Sequence, residues 1–137
     1  MEKGKRLAAA GLLAANRCIR DSFYITAIPK TSNDAEAIAG TFSGVRNASV
    51  PLGSPTPGQP NIASTLWQTL AVHRNRRYFV ESARTRNVFW MNLAGINFSA
   101  GQPARRLTLT GDAIYAGDAS AHFGRAEPYA FLAAEVR

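Results

Sequence analysis

NIASTLWQTLAVHRNRRYFVESARTRNVFWMNL, residues Asn61 to Leu93, reads as three strands separated by polar turns. From Thr65 to Val72 the residues alternate, with Leu66, Leu70 and Val72 on one face and Thr65, Trp67, Thr69 and Ala71 on the other. HRNRR, His73 to Arg77, is a turn; Tyr78, Phe79 and Val80 then resume in strand-forming residues as far as Ser82, and VFWMNL, Val88 to Leu93, follows a second polar break. Aromatic and β-branched runs bounded by polar clusters are the signature of strands. Turns this short join antiparallel neighbours. Phe79, Phe89 and Trp90 each bury a large apolar area if they reach a core. The stretch predicts a sheet covered on at least one face.

The chain around it has 137 residues, which is one domain or a piece of one. A chain of this length can bury roughly two-thirds of its unfolded surface. Apolar residues make up 46% and charged residues 18%, so the composition is globular and not disordered. The net charge of +7 comes mostly from thirteen arginines. They lie near the N-terminus, in the 73–77 turn, at Arg84 and Arg86, and at Arg105 and Arg106, not on one periodic helix face. Such scatter reads as a solvated rim, and the expectation is no nucleic-acid partner. A single cysteine, Cys18, excludes an internal disulfide and any cysteine-based zinc site. His73 and His122 fall in different elements without ligand spacing, so no metal is expected. No apolar run approaches the roughly 20 residues that span a bilayer.

Upstream of the sheet, Met1 to Ala15, MEKGKRLAAAGLLAA, reads in two ways. A positive start, a short apolar run and small residues have the form of a secretory signal. As ordinary sequence, the stretch is the opening of a helix that continues through ANRCIRDSFY. Cys18, Ile19, Ser22, Phe23 and Thr26 recur at helical spacing between Asn16 and Ala27, with Arg17, Arg20 and Asp21 elsewhere on the wheel. Cys18 therefore falls on the apolar stripe, where a buried, inert cysteine is the expectation. Pro29 ends this helix. Asn33 and Glu36 form a capping pair for a second helix, Asp34 to Arg46, with Ala35, Ile38, Ala39, Phe42 and Val45 as its stripe. Gly40 and Gly44 weaken that helix by about 1 kcal/mol each unless close packing against a sheet makes them useful.

SVPLGSPTPGQP, Ser49 to Pro60, is a stiff loop, too rich in proline for a helix or a central strand. After Leu93 come a polar connection, a strand from Arg105 to Leu109, a turn at Thr110-Gly111-Asp112 and a short strand around Ile114 and Tyr115. The segment from Ala119 to Val136 shows no clear period. Among candidate chemical groups, Cys18 is flanked by Arg17 and Arg20, whose charge favours a thiolate, but no histidine lies near it in sequence. Asp112 and Asp118 flank a YAGD turn without a carboxylate partner, and Asp112 reads as a turn residue. No complete catalytic set is present.

The segments NRCIRDSFYITAIPK, AEAIAGTFSGVRNASVPLG, TPGQPNIASTLWQTLAVHRNRRYFVESARTRNVFWMNL and LTLTGDAIYAGDASAHF, in that order, resemble the C-terminal part of the choloylglycine hydrolase / penicillin V acylase family. The resemblance covers roughly Asn16 to Phe123 and is closest to the branch found in Gram-negative bacteria. It implies an α+β chain, part of a four-layer αββα N-terminal-nucleophile hydrolase fold, with two N-terminal helices followed by an antiparallel sheet. The whole of 1–137 is then the C-terminal segment of one such domain, with 1–15 as a leader outside the family. The chemistry implied is hydrolysis of linear amides without a cofactor. A mature N-terminal cysteine attacks the carbonyl, its own α-amino group serves as base, and preorganised donors hold the oxyanion.

Within Arg17-Cys18-Ile19-Arg20 the resemblance implies one catalytic position, Arg17, beside the nucleophile. A guanidinium there favours the thiolate and can orient a substrate carboxylate or carbonyl. As an isolated helix residue, Arg17 equally suits an ion pair with Asp21 at i+4. The family's nucleophile belongs to an N-terminal part that the resemblance does not reach, and Cys18 is internal. The expectations are a fragment inactive alone, from a truncated, mis-started or split gene, or a module that completes a separately encoded N-terminal half or associates with itself. Small amides of the full-length family, whether penicillin V, conjugated bile salts or acyl homoserine lactones, are the implied substrates. No membrane partner is expected, and the compartment, periplasmic or cytoplasmic, is left open.

Overall fold

A computed structural model describes residues 14–53, 64–111 and 113–131. Most of the leader, most of the proline-rich loop, Asp112 and the last six residues lie outside them. The described chain is two helices, α1 (Ala14–Ala27) and α2 (Asp34–Ala48), followed by six strands. These are β1 (Trp67–Val72), β2 (Arg77–Ser82), β3 (Val88–Asn92), β4 (Arg105–Arg106), β5 (Gly117–Asp118) and β6 (Gly124–Arg125). It forms two compact units, Met1–Leu70 with Val80–Arg86, and Ala71–Phe79 with Asn87–Arg137.

In the first unit the helix ends are set by short-range chemistry. The Ile28 N–H still bonds the Tyr24 carbonyl at 2.9 Å, and Pro29 stops the helix there because the residue before a proline resists α geometry. Asn33 caps α2: its Oδ1 accepts from the N–H groups of Ala35 (2.9 Å) and Glu36 (3.4 Å). Glu36 does not reach back to the cap directly. Its carboxylate accepts from the Thr31 hydroxyl at 2.8 Å, and Thr31 Oγ1 accepts the Asn33 N–H at 3.1 Å, so Thr31 relays the second half of the capping box.

Gly40 and Gly44 turn out to serve a helix, not a sheet. A Cβ at Gly40 would lie 3.1 Å from Ile28 Cγ2, and one at Gly44 would lie 3.2 Å from Ile28 Cδ1 and 3.3 Å from Tyr24 Cβ. The chain on either side of residues 54–63 meets at one clasp. The Val50 N–H bonds Thr65 Oγ1 and the Thr65 N–H bonds the Val50 carbonyl, both at 3.0 Å, and Val50 is fully buried. Among the described residues of this unit, Phe42, Ala48, Val50 and Val80 are the buried hydrophobics.

The four-stranded sheet has the order β1-β2-β3-β5. Its first three strands follow the antiparallel expectation. The Ala83 N–H, just past β2, bonds the carbonyl of Leu66, just before β1, and the Leu93 N–H, just past β3, bonds the carbonyl of Arg76, just before β2. Such bonds require neighbouring strands to run in opposite directions. The turn at 73–76 closes with Arg76 at φ +50°. In β1 the inward face is Gln68, Leu70 and Val72, and Leu66, ahead of the strand, is exposed. β2 buries three consecutive residues, Phe79, Val80 and Glu81, so it is covered on both faces.

The second unit departs from expectation at its end. The strand expected at Ile114–Tyr115 lies instead at Gly117–Asp118, and it pairs parallel to β3, Phe89 opposite Gly117 and Trp90 opposite Asp118. The sheet is therefore mixed. Tyr115 is used as a side chain, with its ring 5.8 Å from Phe89 and 5.3 Å from His122. The backbone reaches β3 only at Gly117, whose φ of +79° suits glycine. The Ala119 N–H then bonds the Trp90 carbonyl at 2.8 Å. The strand expected over Arg105–Leu109 shrinks to Arg105–Arg106, because its antiparallel partner is only Gly124–Arg125.

Candidate functional site

Arg17 and Cys18 lie in the first turns of α1, and the helix points them in different directions. Successive helical residues are about 100° apart, and the structure uses that angle to divide the helix by chemistry. Arg17, Arg20, Asp21, Tyr24 and Ile28 are half-buried, at the i, i+3, i+4, i+7 and i+11 spacing of one face. Asp21, Tyr24 and Ile28 line a groove of about 680 Å³ with Lys30 of the connection and Thr41 and Val45 of α2. Among the described residues, neither a hydrogen bond nor an ion pair engages the Arg17 guanidinium. The alternative ion pair with Asp21 is not formed. A half-buried guanidinium in that state keeps five donors for a carboxylate or carbonyl.

Cys18 is exposed, which reverses the expectation of a buried thiol. The stripe read from the sequence is real, but it faces solvent. The side of α1 that meets α2 is the one carrying Arg17, Arg20 and Asp21. Cys18 also lacks what the implied nucleophile needs: its nitrogen is a helix amide, not a free amine, and its carbonyl accepts the Ser22 hydroxyl at 2.8 Å. His73 and His122 are surface residues of the second unit. Among the described residues no three His, Cys, Asp or Glu side chains gather as a metal site.

The most developed polar cluster was missed in the sequence. Glu81 is only 3% exposed, and the Arg46 Nε–H meets its two carboxylate oxygens at 3.1 and 3.0 Å. The Arg46 guanidinium also lies 5.6 Å from the centre of the Phe42 ring. Beside them, Gln68 donates from Nε2 to Ser49 Oγ, and the Ser49 hydroxyl donates to the Val45 carbonyl. The available signal was a glutamate within the apolar run YFVES. These contacts tie α2 to β1 and β2, and their components are already paired with one another, which marks a structural cluster. Asp118 has a similar local part: the Ser120 hydroxyl and the Ser120 N–H (2.9 Å) both bond its carboxylate, which holds the carboxyl below its usual range, with a smaller contribution from Arg77.

The chain is a member of the choloylglycine hydrolase family of linear amide C–N hydrolases, which it matches over residues 9–106. It is 43% identical over 133 residues to the penicillin V acylase of Pectobacterium atrosepticum, an alignment covering 86% of this chain and 35% of that protein. It also superposes on the solved penicillin V acylase of Agrobacterium tumefaciens with a TM-score of 0.79 and 44% identity, covering 88% of this chain and 39% of that one. The chain thus spans little more than a third of the length of these relatives. The helices-then-sheet order expected from the resemblance is the order found.

Proposed function

We propose that this chain supplies the C-terminal segment of a four-layer linear amide hydrolase and hydrolyses nothing by itself. The carrying observation is the 43% identity to a penicillin V acylase along most of this chain, with that acylase extending far beyond it. On this reading a cysteine at a mature N-terminus, outside the 137 residues, attacks the amide carbonyl. Its α-amino group accepts the thiol proton and returns it to the departing amine, the acyl group passes to sulfur, and water then releases the acid. Arg17 is the residue of this chain that reaches the site. Its guanidinium favours the thiolate and orients the substrate's carboxylate or carbonyl. The substrate class is a small linear amide, with penicillin V, conjugated bile salts and acyl homoserine lactones as the members to try.

Penicillin V hydrolysis by the 137-residue chain tests this, alone and co-expressed with the part of the Agrobacterium acylase that it does not match. The expected result is no turnover alone, with Cys18→Ser making no difference, and turnover in the combined protein. There Arg17→Ala lowers kcat/KM by roughly a hundredfold, the scale of losing one preorganised electrostatic partner. Turnover by the chain alone that vanishes in Cys18→Ser overturns the reading and makes Cys18 the nucleophile. A second reading, a module that only completes a separately encoded half, is favoured by the bare apolar face of α1. Assembly without turnover would select it.

A further inference from the structure

An amphipathic helix normally turns its apolar stripe to the protein and its charges to water, and α1 does the reverse. Ile19 is 67% exposed, Phe23 64% and Ile25 76%, and Cys18 is exposed among them. The described charged residues of the helix, Arg17, Arg20 and Asp21, are all on the half-buried side. The outward face carries just two hydroxyls, and both are turned back onto the helix. Ser22 Oγ donates to the Cys18 carbonyl at 2.8 Å and Thr26 Oγ1 to the Phe23 carbonyl at 2.8 Å. Serine and threonine hydroxyls bonded in this way have their donor proton satisfied within the helix. The result is a charge-free surface of branched, aromatic and small residues whose hydroxyl donors are already used within the helix, which is the make-up of a buried face and not of a solvated one.

We propose that this outward face of α1 is the seam on which the rest of a hydrolase domain packs, through an uncharged apolar surface of its own. The match to the Agrobacterium acylase leaves some three-fifths of that chain unaccounted for, which is ample polypeptide to cover one helix face. The inference rests on the reading that this chain is one segment of such a hydrolase. It adds which surface joins the segments, and it places Cys18 on the joint as a packing residue. The same helix then serves two purposes, holding Arg17 on one side and docking on the other.

Cys18, the one cysteine of the chain, reports directly on the seam. The test is maleimide modification of Cys18, read by mass spectrometry of its peptide, in the full chain alone and co-purified with the unmatched part of the Agrobacterium acylase. Alone, Cys18 should react as an open thiol at every protein concentration. In the complex its rate should fall by about tenfold or more, since access then requires local opening. Ile19→Asp and Phe23→Asp should abolish co-purification and Phe23→Leu should retain it, while Ile114→Asp, a substitution at an exposed residue far along the chain, should not matter. Far-UV circular dichroism of each variant chain should stay unchanged, because these side chains face outward.

Failure to co-purify, a complex in which Cys18 reacts as fast as in the free chain, or a complex that tolerates Phe23→Asp would each overturn the proposal. Protection of Cys18 that rises with concentration in the chain alone would overturn it in favour of a second copy. A complex with Cys18 protected but no hydrolysis of penicillin V or other linear amides would leave the seam standing and remove the enzymatic reading.

Discussion

Taking the Glu81 carboxylate out of water costs several kcal/mol unless an opposite charge and hydrogen bonds replace the lost hydration. Arg46 supplies both, and its own side chain stays 43% exposed, so only one end of the pair is desolvated. Arg46→Met keeps an unbranched aliphatic side chain and removes the guanidinium, leaving a buried carboxylate without its charged partner. Partial access of water holds the expected loss to about 2 kcal/mol, the scale of a hydrogen bond to a charged group. Urea denaturation of the variant measures it, and a change under roughly 0.5 kcal/mol would mean Glu81 finds other solvation. Asp118 lies fully at the surface and acts through titration. Its carboxyl is held below the usual value by Ser120, so protonation is harder in the folded chain than in the unfolded one. The contact therefore contributes at pH values above the ordinary carboxylate range and fades as pH falls through it. Asp118→Asn should lower Tm at pH 7 and make much less difference near pH 3; an equal loss at both would show that charge is not involved. Arg17 is a candidate by resemblance alone, whereas the Glu81 pairing had no signal beyond its setting, because a lone glutamate in a strand shows its partner only after folding.

Among the elements, α2 carries the clearest trade-off. Replacing a mid-helix glycine by alanine gains about 1 kcal/mol of helix propensity, yet Gly44 faces Tyr24 Cβ, an atom fixed to its own backbone. A Cβ at 3.3 Å from that atom forces the two helices apart by a few tenths of an ångström, and overpacking of this kind costs roughly 1–3 kcal/mol. Gly44→Ala is thus expected to destabilise by about 1 kcal/mol net in urea denaturation. A gain in stability would show that the pair is looser than its contacts indicate. Helix ends were readable because capping and proline act within a few residues. Which face of α1 turns inward was not, since the 3.6-residue period identifies a stripe and says nothing of what lies opposite it. Likewise β1 alternates as its sequence says, but Gln68 joins Leu70 and Val72 on the inward side. There the Ser49 hydroxyl receives its amide.

Across the chain, the proposal is of one segment of a hydrolase, which presents the outward face of α1 to more polypeptide. That is why the hydrolysis assay is expected to be silent for the 137 residues and active once the unmatched part of an acylase is present. The sequence by itself determined the two helices and their ends, the antiparallel run through β3, the α+β class and the family, because these depend on local propensity, capping and residue order. Only the tertiary structure decided the parallel pairing of β5 with β3, the Arg46–Glu81 pair and the outward turn of Cys18. Each of these depends on which surfaces meet across long stretches of chain, and hydrophobic periodicity carries no information about that.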